Sequence, residues 1–380
     1  MVTLISPDGA YGGPLRVALN QAQILRSFGH EVVVAAGASG YRELPVEIGD
    51  VPVVPFPASR IPGFGYAGTC APRMRRWIID NGVDFDIAHV HFARDLVTIP
   101  AARTLRRLGM PMVLQPHGMV TPMSHPLAGV VDRVWTTDLL ANADCVLALT
   151  EREVRDLRAV GGSGLKVRQL PNGVPLDYER GNSRDEMGQF PEVLFFARLH
   201  ERKRADVFAE AALELLISGV KAKFSVVGPP EGGERAVDAV IERARALGYG
   251  PDLLVREPAT PPERALERMS QASIYVLPAV REPFAMTILE ALTLELPVVM
   301  CADGGLAPFV SRHRCGTVVD GSVSSLAAAI TDLLNDPKAA REMGGRGRSA
   351  VADELSIAAV GRRLESIYND VLEGRREPAA

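Results

Sequence analysis

"VTLISPDGAYGGPLRVALNQAQILRSFGHEVVVAA", Val2 to Ala36, carries a strand, a turn, a helix and a second strand in one stretch. The run "VTLIS" is apolar, Gly12-Gly13-Pro14 breaks it, and Leu15, Ala18, Leu19, Ala22 and Leu25 then recur at helical spacing. The next apolar run, "HEVVVAA", shows no alternation of polar and apolar positions. Strands of that kind are buried on both faces, and a helix between two of them predicts a parallel sheet.

The same alternation continues through "DIAHVHF", "MPMVLQ", "CVLALT", "EVLFFAR", "AKFSVVG", "DLLVRE", "SIYVLPA" and "LPVVMC". It is interrupted near Leu170 to Val193, where Gly, Pro, Asn and charge replace periodicity. With 380 residues, too many for one compact core, the chain is expected to form two doubly wound α/β domains with a cleft. Ligands of such sheets bind beyond the carboxyl ends of the strands. The tail "EGRREPAA" is expected to fray.

Composition removes several classes of function. A net charge of -4 with no interleaved basic and aromatic pattern argues against nucleic acid as a partner. Cys70, Cys145, Cys301 and Cys315 lack CxxC spacing, so neither a zinc site nor a disulfide framework is expected. No basic and apolar leader opens the chain, and its apolar runs fall short of the roughly 20 residues a membrane span needs. The expectation is a cytoplasmic protein with reduced thiols.

The strand-end loops hold the candidate chemistry. Gly12 and Gly13 would let a phosphate approach the backbone at a helix start, with Pro14 at the first helical position, although a plain structural turn explains them equally well. Arg198 and Lys203 follow "LFFA" and suit a polyphosphate clamp, and a solvated charged loop is the competing reading. Glu282 and Glu290, in "REPFAMTILEALTLELPVV", would lie ~12 Å apart if every step between them were helical. That exceeds the separation of about 5 to 9.5 Å used by hydrolytic carboxylate pairs. Two carboxylates gripping vicinal hydroxyls of one ligand, or two solvated helix charges, remain. His117 ends a strand next to Gly118, whereas His89 and His91 lack a third ligand for a metal.

Two further patterns carry less. "DFD", Asp84 to Asp86, has the form of a metal-nucleotide motif but precedes its strand, so a structural turn is expected. Arg73, Arg75 and Arg76 beside Trp77, and Arg103, Arg106 and Arg107, suit an anionic membrane surface or a phosphorylated lipid acceptor, or simply a solvated helix face.

Taken in order, "YGGPLRVALNQAQILRSFGHEVVVAA", "PHG", "VLALTEREVRDLRAVG", "LPNGVP", "FFARLHERKRADVFAEAA", "FSVVGPPEGG" and "REPFAMTILEALTLELPVV" with "DGGLAPFV" resemble the retaining glycosyltransferases of family 4, also called glycosyl transferases group 1. The resemblance spans nearly the whole chain. It implies the GT-B fold, two Rossmann-like doubly wound parallel-sheet domains facing each other across a cleft. Residues 1–172, joined by a C-terminal helix at about 358–380, would form the acceptor side, and residues 173–357 the nucleotide-sugar side.

The resemblance also implies roles for matching residues. His117, Arg198, Lys203 and Glu282 would serve the reaction. Gly12, Gly13, Arg198 and Lys203 would hold the diphosphate, Glu282 and Glu290 the sugar and ribose hydroxyls, and Phe284, Ala285 and Met286 would line the donor. The amides of Gly304, Gly305 and Leu306 would face sugar or phosphate. Ala285, Glu295 and Pro308 depart from the family's usual Gly, Gly and Glu.

The expected activity is retaining transfer of a hexose from a UDP- or GDP-sugar to a surface-polysaccharide or lipid-linked glycan acceptor, with no cofactor and no metal. Peripheral contact with the inner face of the plasma membrane belongs to the same expectation. The alternatives are another GT-B enzyme, an epimerase or phosphorylase, and a non-catalytic nucleotide-sugar-binding partner of a glycan assembly complex.

Overall fold

The computed structural model describes residues 1–7, 12–123, 126–176, 178 and 190–376. The chain divides into two compact units, one of Met1–Gly173 with Ile357–Ala380 and one of Val174–Ser356.

In the first unit the strands are β1 (Val2–Ile5), β2 (Val34–Ala38), β3 (Glu47–Ile48), β4 (Val51–Pro57), β5 (Ser59–Arg60), β6 (Thr69–Cys70), β7 (Ala88–Val90), β8 (Met112–Leu114), β9 (Cys145–Ala148) and β10 (Val167–Gln169). One sheet runs in the order β10-β9-β8-β7-β1-β2-β4-β3, parallel except for the β3-β4 pair, and β5 and β6 form a separate ribbon. Successive residues feed opposite faces: Val2 and Leu4 join one core with Val90, Met112 and Leu114, whereas Ile5 joins the other with Val34, Ala36 and Val113. This double burial is why the strands read as unbroken apolar runs. The helix Ile357–Arg376 covers the second face through Val360, Leu364 and Ile367.

The second unit contains β11 (Glu192–Phe196), β12 (Lys223–Val227), β13 (Leu254–Glu257), β14 (Ile274–Leu277), β15 (Val298–Cys301) and β16 (Gly316–Val319). Their order, β13-β12-β11-β14-β15-β16, is fully parallel. In both sheets the chain reverses its direction of winding beside the first strand, between β1 and β7 and between β11 and β14. The loops that leave those strands border the crevice that such a reversal opens.

Each of the ten apolar runs holds a strand, and the sheets are the doubly wound ones expected. The runs miss the two-residue strands β3, β5 and β6 and three longer ones. β4 contains Pro52, Pro55 and Pro57, which cannot donate to a ladder and so argue against a strand from sequence. β10 and β16 are edge strands with few buried residues.

Two local expectations need correction. The first helix starts at Gly12, so Pro14 is its third residue rather than its first. The tail is ordered through Arg376: Arg375 donates to both carboxylate oxygens of Asp144 at 2.7 and 2.8 Å and to the Gly109 carbonyl at 2.6 Å. Residues 377–380, and 179–189 of the interdomain connection, lie outside the described residues.

Candidate active site

The second unit gathers four loops at the carboxyl ends of its strands. Arg198 and Lys203 leave β11, Glu231 leaves β12, Glu282 leaves β14, and Gly304 and Gly305 leave β15. Main-chain bonds join them: Val280 N donates to Arg202 O at 2.9 Å, and Gly305 N to Glu282 O at 2.9 Å. Arg281, at φ 50, is held by Asp303, whose Oδ2 accepts from its amide at 2.8 Å. Below, the Tyr275 hydroxyl bridges Phe196 O and Thr287 Oγ1 at 2.9 and 2.7 Å.

Lys203 Nζ donates to Glu282 Oε2 at 2.6 Å, with side chains only 16% and 18% exposed. The short turn Glu201–Lys203 sets the lysine, and His200 caps it by accepting from Arg202 N at 3.1 Å. Arg198 is 59% exposed and donates to Glu231 Oε1 at 2.7 Å. Glu231 comes close because the β12 loop presses its backbone against the β11 loop: a Cβ on Gly228 would sit 1.9 Å from Ala197 O. Both cations therefore have carboxylate partners, and each keeps spare donors for a phosphate.

Neither glutamate is a solvated helix charge. Only Glu290 lies in the helix Met286–Thr293, where it is 7% exposed, and Glu282 sits in the preceding loop. The amides of Gly304 and Gly305 do not face a ligand as expected. They are committed to Cys301 O at 3.1 Å and to Glu282 O, so this loop shapes the site instead of lending those two donors. Phe284, Ala285 and Leu306 are buried and Met286 is half-buried. Ala285 takes φ -81 and ψ 95, so its methyl costs no strain. Glu295 has φ 56, a left-handed conformation that favours glycine.

The first unit presents a different surface. Gly12 and Gly13 follow β1, and a Cβ on Gly13 would meet nothing within 4 Å among the described residues. His117 follows β8 with φ 54, and Gly118 continues at φ 75. Left-handed backbone at a non-glycine residue costs about 1 kcal/mol, which the surroundings must offset.

His117 Nε2 shares a hydrogen bond of 2.8 Å with His91 Nδ1. His91 stacks on His89 with ring centroids 4.6 Å apart, and His89 Nδ1 meets the Tyr368 hydroxyl at 2.6 Å. Burial pushes all three imidazoles down, His117 to about 3, so they are neutral at pH 7. His117 Nδ1 is also buried, with no partner among the described residues. Through its bond to His91 this ring is tied to the end of β7, and it carries no imidazolium proton to give at pH 7.

Arg94 braces the next stretch. It donates to both oxygens of Asp132 at 2.7 and 2.8 Å and to the carbonyls of Met119 and Thr121 at 3.2 and 2.8 Å. Asp84 and Asp86 sit before β7, lining a cavity of about 390 Å³ at the amino ends of the strands, away from the loops described above. Trp77 is half-buried and packs between Phe56 and Phe85, while Arg73, Arg75 and Arg76 are exposed. Among the described residues no helix is long and apolar enough to cross a membrane, and no group of three or more His, Cys, Asp or Glu could hold a metal.

Comparison with known proteins agrees with this arrangement. Residues 12–173 match the family described as Glycosyl transferase 4-like domain, and residues 182–350 match Glycosyl transferases group 1. The D-inositol 3-phosphate glycosyltransferase 2 of Catenulispora acidiphila is 30% identical over 292 residues, 71% of this chain and 67% of that protein. The GDP-mannose-dependent alpha-(1-6)-phosphatidylinositol monomannoside mannosyltransferase of Mycolicibacterium smegmatis is 28% identical over 327 residues, 81% of each chain. Among solved structures, Anabaena HepE in complex with UDP superposes with a TM-score of 0.78 at 17% identity, covering 97% of this chain and 99% of that one.

Proposed function

The chain belongs to the glycosyl transferases group 1 and is a hexosyltransferase with the GT-B fold, and from that premise we propose that it takes its hexose from a UDP- or GDP-sugar and transfers it with retention. The observation that carries this reading is the convergence of Arg198, Lys203 and Glu282 where β11 and β14 part. The second unit would take the nucleotide sugar, and the first would serve the acceptor.

In this mechanism the donor diphosphate displaces Glu231 from Arg198 and shares Lys203 with Glu282. Glu282 and Glu290 then accept hydrogen bonds from hydroxyls of the sugar and the ribose. As the sugar-oxygen bond breaks, negative charge grows on the leaving diphosphate, and Arg198 and Lys203 stabilise it without reorganising. The diphosphate itself takes the acceptor's proton, so no metal is required. The backbone at Gly13 would approach the same diphosphate, a reading supported by the free space around its α-carbon among the described residues. Because the His117 ring is neutral and inward, its contribution is to hold the turn that meets the reacting sugar.

The acceptor we favour is a glycan or lipid-linked glycan. The relatives include a protein named for transfer to phosphatidylinositol monomannoside and another named for inositol 3-phosphate. Peripheral membrane contact would rest on the exposed arginines alone. Calorimetric titration with UDP and with GDP tests the donor reading: one of them binds, and Arg198→Ala weakens it. Failure of both nucleotides to bind, or equal binding by the variant, removes the assignment.

A further inference from the structure

Glu153 lies in the first turn of the helix Glu151–Gly161, three residues after its cap, Thr150. A glutamate at that position usually remains in solvent or turns back to the amide of the capping residue. Here it does neither. It is 4% exposed, and its two oxygens accept from two separate loops: Oε1 from Gly118 N at 2.5 Å and Oε2 from Leu149 N at 2.7 Å. Those amides lie beyond the carboxyl ends of β8 and β9, neighbouring strands of the sheet.

The bridge is costly, since burial raises the Glu153 carboxyl above its usual range in spite of both bonds. Thr150 satisfies the helix start, accepting from Glu153 N at 3.3 Å, so the helix has no need of this carboxylate. What does need holding is the turn at its far end, with His117 and Gly118 both left-handed. His91 grips the ring of His117, Met119 N donates to Pro116 O at 2.9 Å, and Glu153 grips the amide directly after His117.

We propose that Glu153 is a positioning residue of the transfer reaction, acting through the Gly118 amide to fix the His117 turn. The inference rests on the reading that this turn meets the reacting sugar. A carboxylate is suited to the task because it is acceptor-only, with one oxygen for each amide. Glutamine has the same shape but turns an NH2 group toward one of the two amides, so Glu153→Gln loosens the turn while changing the volume hardly at all.

The test combines turnover, nucleotide binding and stability for Glu153→Gln, His117→Ala and the double variant, with nucleotide release as the assay. Glu153→Gln is expected to lower kcat about tenfold or more while leaving the affinity for UDP or GDP within a factor of two. The double variant should be no slower than His117→Ala, because both changes act on one turn. Losses that multiply, or a lowered Tm with kcat unchanged, overturn the proposal. Full activity in His117→Ala would instead sink the reading of the turn itself. Hydrogen exchange on the unaltered protein adds a test that needs no variant: the Gly118 amide should be strongly protected, and exchange at the rate of an open loop overturns the proposal.

Discussion

The two units carry the same fold and opposite electrostatics at the same place. Beyond β11 and β14 the second unit displays full ions, Arg198, Lys203, Glu231 and Glu282, paired and partly open to solvent. Within and beyond β7 and β8 the first unit holds three imidazoles made neutral by burial, His89, His91 and His117, and a backbone turn under strain. A doubly wound sheet therefore specifies where a site lies and not what chemistry it has. How deeply each side chain is buried decides whether it acts as a charge or as a prop.

The sharpest way to separate site ions from structural ions lies within the second unit. Arg268 is mostly buried and donates to both oxygens of Glu192 and of Glu257, at 2.8 to 3.0 Å. Arg268→Ala leaves Glu257 with Lys223 alone and Glu192 with Lys223 and Ser225, and should destabilise this unit by about 2 kcal/mol in urea unfolding. Its nucleotide affinity, measured where it is still folded, should not change. Arg198→Ala, at an exposed pair, should do the reverse, with a rate loss on the order of 10²-fold or more and little change in stability, whereas Lys203→Ala, which leaves the mostly buried Glu282 unpaired, should lose both rate and some stability. If Arg198→Ala unfolds the protein and Arg268→Ala abolishes binding, the division between the two kinds of ion is wrong.

Acid tests the first unit. His117 is held down to about 3 from 6.5, so the folded state refuses a proton that the unfolded chain accepts below pH 6.5. Its contribution is fully present above that pH and is lost as pH falls toward 3, and His89 and His91 act with the same sign. About 1 kcal/mol of the His117 contribution should be gone one pH unit below 6.5. Asp95, raised to about 6, and Glu153, also raised, oppose this, because folding penalises their charged forms and the penalty is relieved on acidification. Urea unfolding at pH 7 and 5.5 should therefore show a loss, and Asp95→Asn should show a larger one. An unchanged midpoint in both would mean that the imidazoles are not buried neutral.

The smallest expected effect is at Glu295. At φ 56, with its backbone pressed by Gly344, where a Cβ would sit 1.9 Å from Glu295 O, it is strained without serving the site. Glu295→Gly should raise stability by up to about 1 kcal/mol in the same unfolding assay and leave turnover unchanged. A loss of activity would show that this strain, like that at His117, belongs to function.

Much of this was legible in the sequence. The strands showed as apolar runs because both faces of each sheet are covered, and Arg198, Lys203, Glu282 and Glu290 stood out as charges in strand-end segments. Their partners did not. Glu231 lies 33 positions from Arg198, and Glu153 lies 35 from Gly118, distances at which no local period operates. Thr150 and Glu153 stand at the spacing of a helix cap, but which amides the carboxylate chooses depends on the neighbouring strand. The amides of Gly304 and Gly305 went the other way, since carbonyls of Cys301 and Glu282 engage donors that the sequence left open to a ligand.

By itself, the sequence determined the two parallel sheets, the family and the segments in which a site must lie, because these follow from periodicity and from motifs in order. Only the tertiary structure decided which ions pair, which imidazoles stay neutral and which amides are spent, because pairing and desolvation are set by neighbours that lie far apart along the chain and touch only when folded.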